Sequence, residues 1–156
     1  MRFFCTLFSL FLLSSALNAQ QAPAYWRAVD GVTVQSFAPE SAMRPTAFKA
    51  FQLDEQALRQ HLTAAPMEFT GAAGLEVQFP NADGVFRTFK VWESPVCHPD
   101  LTAKYPAIRT FAAKATDGTG DVMRFDVGYK GLNAFVFATD GNIQSLVWDF
   151  AYTDEV

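Results

Sequence analysis

The sequence predicts an α+β fold, mainly antiparallel β-sheet arranged as hairpins and a meander, with one packed amphipathic helix. Three observations carry that expectation. Apolar and polar residues alternate over short runs, turn-forming residues separate those runs at regular intervals, and a single stretch switches to helical spacing. Material for a core is plentiful: 50% of the 156 residues are hydrophobic and 16 are Phe. Burial on that scale offsets the entropy of ordering a backbone, which excludes disorder over most of the length and points to one domain.

Residues 1–19 read as a secretory signal peptide outside the fold. Arg2 is followed by an apolar run from Phe3 to Leu13 and then by small residues up to Ala19. The run is about half of the roughly 20 residues that a bilayer-spanning helix requires. Cleavage is expected after Ala16 or Ala19, and the product is expected to be secreted, extracellular or periplasmic. Cys5 lies at the very start of the apolar run with no small-residue box before it, so a lipidated first residue is not expected. Removing this segment takes away Arg2 as its only charge and leaves Cys97 as the only cysteine, so an internal disulfide is impossible.

Residues 20–47 read as a leading strand and loop. Ala24 to Val29 and Val32 to Phe37 are extended candidates, broken by Asp30-Gly31 and then by Pro39 and Pro45. Residues 48–156 are expected to form the β-rich domain. Leu53, Ala57, Leu58, Leu62 and Ala65 recur at helical spacing, with Asp54 placed to cap the start and Pro66 to stop it. Leu75, Val77 and Phe79 alternate on one strand; a turn at Pro80 to Gly84 leads to a second strand, Phe86 to Trp92. Four further strands are expected at Ile108 to Ala112, Asp121 to Val127, Leu132 to Ala138 and Ile143 to Tyr152, with turns at 117–120, 129–131 and 139–142. Pro99 to Lys104 is placed to form one helical turn between the two strand groups.

Charge and motif content exclude several functions. With 12 Lys+Arg against 16 Asp+Glu and no basic run, a nucleic-acid surface is not expected. The only histidines are His61 and His98, so three-histidine zinc coordination and His-Glu-x-x-His are both out of reach. The chain has no Gly-x-Ser-x-Gly elbow, phosphate-binding glycine loop or dinucleotide fingerprint. His61 reads as a helix residue with a structural role. Asp54/Glu55 and Asp154/Glu155 are explained by a helix start and a solvated chain end rather than by paired-carboxylate chemistry. No catalytic residue, cofactor-binding residue or metal ligand is assigned within the chain itself. Phe135, Phe137, Trp148, Phe150 and Tyr152 read as alternating core aromatics, with a sugar-binding platform as the alternative.

Cys97 admits a sharper reading. It lies in Ser94-Pro95-Val96-Cys97-His98-Pro99-Asp100, where two prolines stiffen an extended segment and an adjacent imidazole favours the thiolate. A thiolate displayed in this way suits the open coordination position of a catalytic zinc in another domain, where it displaces the attacking water. Pro95, Cys97, His98 and Pro99 are therefore candidates for contact with a cleft. The simpler expectation is a small buried apolar cysteine.

Between Phe48 and Val147 the chain shows ordered motifs. They are Phe51-Gln52-Leu53-Asp54, Leu58 to Pro66, Trp92-Glu93-Ser94-Pro95-Val96, Leu101 to Phe111, Arg124-Phe125-Asp126-Val127, Gly131-Leu132-Asn133-Ala134 and Asp140-Gly141. In these motifs the chain resembles the N-terminal pro-region of secreted reprolysin-like zinc metallopeptidases of Bacteroidetes-type bacteria. The resemblance implies a non-catalytic segment that is exported with its protease, assists its folding and covers its active site until cut away. Its partner would be the metallopeptidase catalytic domain, in cis or in trans, and zinc would belong to that domain. Two departures stand out. The family's usual residue at position 97 is methionine, and the chain stops at Val156 where the family continues into the protease. The second departure implies a truncated precursor or a stand-alone descendant. The alternative function is a secreted β-rich binding or adhesion module using exposed aromatics on one sheet.

Overall fold

The computed structural model describes residues 23–30 and 48–147. The signal-peptide reading, the extended candidate at 32–37, and Trp148, Phe150 and Tyr152 lie outside the described residues. The architecture is mainly antiparallel β-sheet with two short helices. Strands β1 (Trp26–Val29) and β2 (Ala50–Leu53) form a two-stranded antiparallel sheet. Helix α1 (Glu55–Leu62) follows. Strands β3 (Leu75–Pro80), β4 (Phe86–Glu93), β5 (Arg109–Ala115), β6 (Val122–Gly128), β7 (Gly131–Phe137) and β8 (Ile143–Val147) form a second sheet in chain order, with helix α2 (Pro99–Lys104) between β4 and β5. This is the meander that the regular turns predict.

Local chemistry explains most of these boundaries. Asp54 caps α1 by accepting from the Ala57 amide at 2.9 Å. The helix is shorter than its apolar spacing suggests, because Leu53 ends β2 opposite Trp26 instead of opening a turn. In the β3–β4 turn the Asn81 carboxamide oxygen accepts from the amides of Asp83 and Val85, and Gly84 takes φ +84°, a conformation that disfavours side chains.

The large sheet curls around its core. The Phe79 and Phe125 ring centroids are 5.2 Å apart although two strands separate β3 from β6. At about 4.8 Å per strand a flat sheet would hold them about 14 Å apart. The concave face carries Val77, Phe79, Phe89, Val91, Phe111, Met123, Phe125 and Val127, and Leu58 and Leu62 of α1 belong to the same buried cluster. Phe111 stacks on Phe125 at 4.8 Å.

The aromatics of β7 take the other side. Phe135 and Phe137 are 44% and 43% exposed, while Leu132, Ala134 and Val136 face the core. The core expectation for these two rings is thus corrected. Both faces of β7 carry apolar side chains, Leu132, Ala134 and Val136 on one and Phe135 and Phe137 beside Asn133 on the other, and the register that pairs Ala134 with Phe125 and Val136 with Met123 sends the smaller set inward.

The outer edge of β3 is closed by side chains. Gln78 donates its amide to Tyr25 Oη at 3.3 Å, and its carbonyl accepts from Trp26 Nε1 at 3.0 Å. The Glu76 carbonyl lies 3.0 Å from His61 Nε2, and the His61 ring stacks on Tyr25. Burial raises the Tyr25 phenol above its ordinary pKa.

Candidate functional site

Strand β4 ends at Glu93, and the chain leaves the sheet through the extended segment Ser94-Pro95-Val96-Cys97-His98 before α2. The root of this excursion is tied down closely. The Ser94 amide donates to the Thr110 carbonyl at 2.8 Å, and Thr110 Oγ1 returns a bond to the Ser94 carbonyl at 2.6 Å. Thr110 Oγ1 also accepts from the Val96 amide at 3.3 Å. Beside them, Arg109 grips Glu93 through two nitrogens, at 3.0 and 2.6 Å, a fork geometry that fixes both partners.

A second polar junction holds the segment from the convex face. Arg124 donates to Ser94 Oγ at 3.0 Å and to both carboxylate oxygens of Glu68. Hydrogen bonding from Ser94, followed by the Arg124 guanidinium, holds the Glu68 carboxyl below its ordinary range. Glu68 itself sits on a loop strapped to β4, with its amide donating to the Glu93 carbonyl at 2.8 Å.

Beyond this root the segment stands in solvent. Cys97 is an exposed free thiol, contrary to the simpler expectation of a buried one, and Val96 is 75% exposed. The helix that follows, α2, buries none of its own residues and leaves the thiol uncovered. Pro99 opens α2, where its missing amide costs nothing. His98 caps that helix: Nδ1 lies 3.4 Å from the Asp100 amide and 3.5 Å from its carboxylate. Among the described residues no hydrogen bond joins the imidazole to the Cys97 thiol. Pro95, Val96 and Cys97 line a shallow cavity of about 210 Å³ together with Thr102, Pro106 and Ile108.

Pro95, Cys97, His98 and Pro99 therefore form one continuous projecting ledge. His61 is far from it in role, serving the β3 edge. Among the described residues no cluster of three or more His, Cys, Asp or Glu side chains could hold a metal ion, and no helix is long and apolar enough to cross a membrane. Sequence reasoning missed Arg109, Thr110 and Arg124 as the anchors of the ledge. Each of these contacts joins residues far apart in the sequence, 16 residues for Glu93–Arg109 and 56 for Glu68–Arg124.

A second exposed feature lies on the convex face. Val122 pairs with Phe137 and Phe137 with Ile143, so the three side chains form a row across β6, β7 and β8, with Phe135 beside it. Val122 and Ile143 are 45% and 64% exposed. Toward β5 the row meets Lys114, the register partner of Val122.

No protein-family model, curated protein or solved structure matches the chain.

Proposed function

We propose that this domain is the non-catalytic N-terminal pro-region of a secreted reprolysin-like zinc metallopeptidase, assisting its folding and covering its active site. The observation that carries this reading is the display of Cys97 at the tip of a proline-stiffened segment whose root is fixed by Glu93, Thr110 and Arg124. An extended segment already ordered before docking loses little conformational entropy on entering a cleft. It can lie there in a non-productive pose, with the thiolate on the zinc of the catalytic domain. The convex apolar row supplies a surface to rest beside that domain.

The test is inhibition in trans. Added in micromolar excess to a mature secreted reprolysin-like metallopeptidase, the purified chain should suppress peptide hydrolysis, and Cys97→Ser should weaken the suppression. Absence of suppression by the unmodified chain would dispose of the reading. The exposed row Val122, Phe137 and Ile143 favours a second reading, a secreted binding or adhesion module. Under that reading Phe137→Ser abolishes binding to a cell surface or glycan, whereas Cys97→Ser leaves it intact.

A further inference from the structure

The large sheet carries unlike connections at its two ends. At one end lie the turns β3–β4, β5–β6 and β7–β8; at the other lie the links α1–β3, β4–β5 and β6–β7. The turns hold Asp83, Asp117, Asp121 and Asp140, no Lys or Arg, and, among the described residues, one exposed large apolar side chain, Val85. The links hold Phe69 and Tyr129, 92% and 67% exposed, together with the exposed side chains of Val96, Leu101, Tyr105 and Ile108. Connections are ordinarily built from polar and turn-forming residues, and apolar exposure gathered at one end of a molecule marks a contact surface.

Phe69 is fixed in a costly pose. Its φ of +65° lies in the left-handed region, where a bulky side chain is strained. The flanking chain holds it there: the Glu68 amide donates to the Glu93 carbonyl, the Glu93 amide to the Pro66 carbonyl, and Thr70 Oγ1 to the Met67 carbonyl, each at 2.8 Å. Strain of this kind persists where the surroundings impose it, and it clusters at functional positions. The exposed ring returns almost no burial to the fold. Charge also differs between the ends. Beside the links, Glu68 is paired with Arg124 and Glu93 with Arg109. Lys104 and Lys130 make no ion pair among the described residues, and they stand against one exposed carboxylate, Asp100, which faces the His98 ring at 3.5 Å.

We propose that this end of the sheet docks on a lipid surface with anionic headgroups. Apolar tips spread over three separate links suit a bilayer interface, which demands no shape complementarity, better than they suit a protein pocket. Phe69 would enter the boundary between headgroups and acyl chains, and Tyr105 and Tyr129 would sit at headgroup depth, where amphipathic rings are favoured. Lys104, 5.4 Å from the Tyr105 ring, and Lys130, next to Tyr129, would meet the headgroups. The four aspartates of the opposite turns are repelled by the same surface, so the field orients the molecule with its links toward the lipid. The proposal does not depend on the inhibitory role.

Amide signals of the full chain test this, titrated with bicelles that contain a spin-labelled lipid. The bicelles are phosphatidylcholine alone or an equal mixture with phosphatidylglycerol. Signals of residues 69, 101–108 and 129–130 should broaden on the anionic mixture, while those of 83, 117–121 and 140 stay sharp. This residue-resolved pattern separates docking of the domain from any contact made by the apolar segment 1–19. Phe69→Gly relieves the positive φ, so it should not lower Tm, yet it should weaken the docking at least about fivefold. Lys104→Gln with Lys130→Gln should erase the preference for the anionic mixture, and Val85→Ser should leave docking unchanged. Broadening spread evenly over both ends, equal affinity for the two compositions, or full docking by Phe69→Gly would overturn the proposal. So would bicelles left unbound while Phe69→Gly impairs inhibition of the metallopeptidase, a result that gives this end to a protein.

Discussion

Replacing Trp26 by Phe isolates the closure of the β3 edge. The indole is 8% exposed, lies against Phe51 and Phe79 at 6.2 and 6.4 Å, and donates Nε1–H to the Gln78 carbonyl at 3.0 Å. Phe keeps an aromatic ring in the cluster but removes the donor. A partly buried carbonyl left without its partner costs about 1–2 kcal/mol, and the smaller ring forfeits about 1 kcal/mol of apolar burial. The expected loss is about 2–3 kcal/mol, or roughly 10 °C in Tm for a domain of this size. Urea titration followed by far-ultraviolet circular dichroism measures it. Tyr25→Phe removes the acceptor of the Gln78 amide, so the two changes act on one residue and the double mutant should be non-additive. A loss below about 0.5 kcal/mol for Trp26→Phe, within the range of ordinary surface changes, would refute the idea that this side chain seals the strand.

Acid sensitivity follows from the turn cluster around Arg87. Hydrogen bonds from Thr119, then the Arg87 guanidinium, hold Asp117 down to about 2; the Thr139 amide, then Arg87, lowers Asp121. A carboxylate with a lowered folded pKa stabilises the fold above its unfolded value near 3.8, and that contribution disappears as pH falls toward 2. Asp117→Asn should therefore flatten the dependence of Tm on pH between about 4 and 2; an unchanged slope would count against the assignment. Gly74→Ala should cost about 1–3 kcal/mol by denaturant titration, because a Cβ there would stand 2.9 Å from the Lys90 Cβ and from the Trp92 ring. Phe135→Ser with Phe137→Ser should change stability by no more than about 1 kcal/mol in total while lowering the binding of a hydrophobic dye. A large loss of stability would place those rings in the core.

Features written locally were legible in the sequence. The Asp54 cap, the Asn81 turn and the glycine-marked hairpins are each decided within four or five residues, and a chain punctuated this way folds as a meander. Strand β2 was not legible, because its four residues abut the helical pattern and their partner, β1, lies more than twenty residues upstream. The orientation of Phe135 and Phe137 was hidden for another reason. When both faces of a strand are apolar, only the neighbouring strand's register decides which face turns inward. The anchors of the ledge join residues distant in sequence, as in the 56-residue separation of Glu68 and Arg124. The position of Cys97 could be read, but its exposure depends on α2 contributing no buried surface, which no local pattern reveals.

The chain-order topology of the large sheet has a kinetic consequence. Each strand from β4 to β8 finds its neighbour immediately before it, so closing the sheet requires only short loops and the excursion through α2. Low contact order of this kind favours rapid, zipper-like assembly. The slow step should be the docking of β1 onto β3, whose contacts span 52 residues. With Trp92 and Trp148 replaced by Phe, the fluorescence of Trp26 should accordingly reach its native value after the main circular-dichroism phase of refolding is complete.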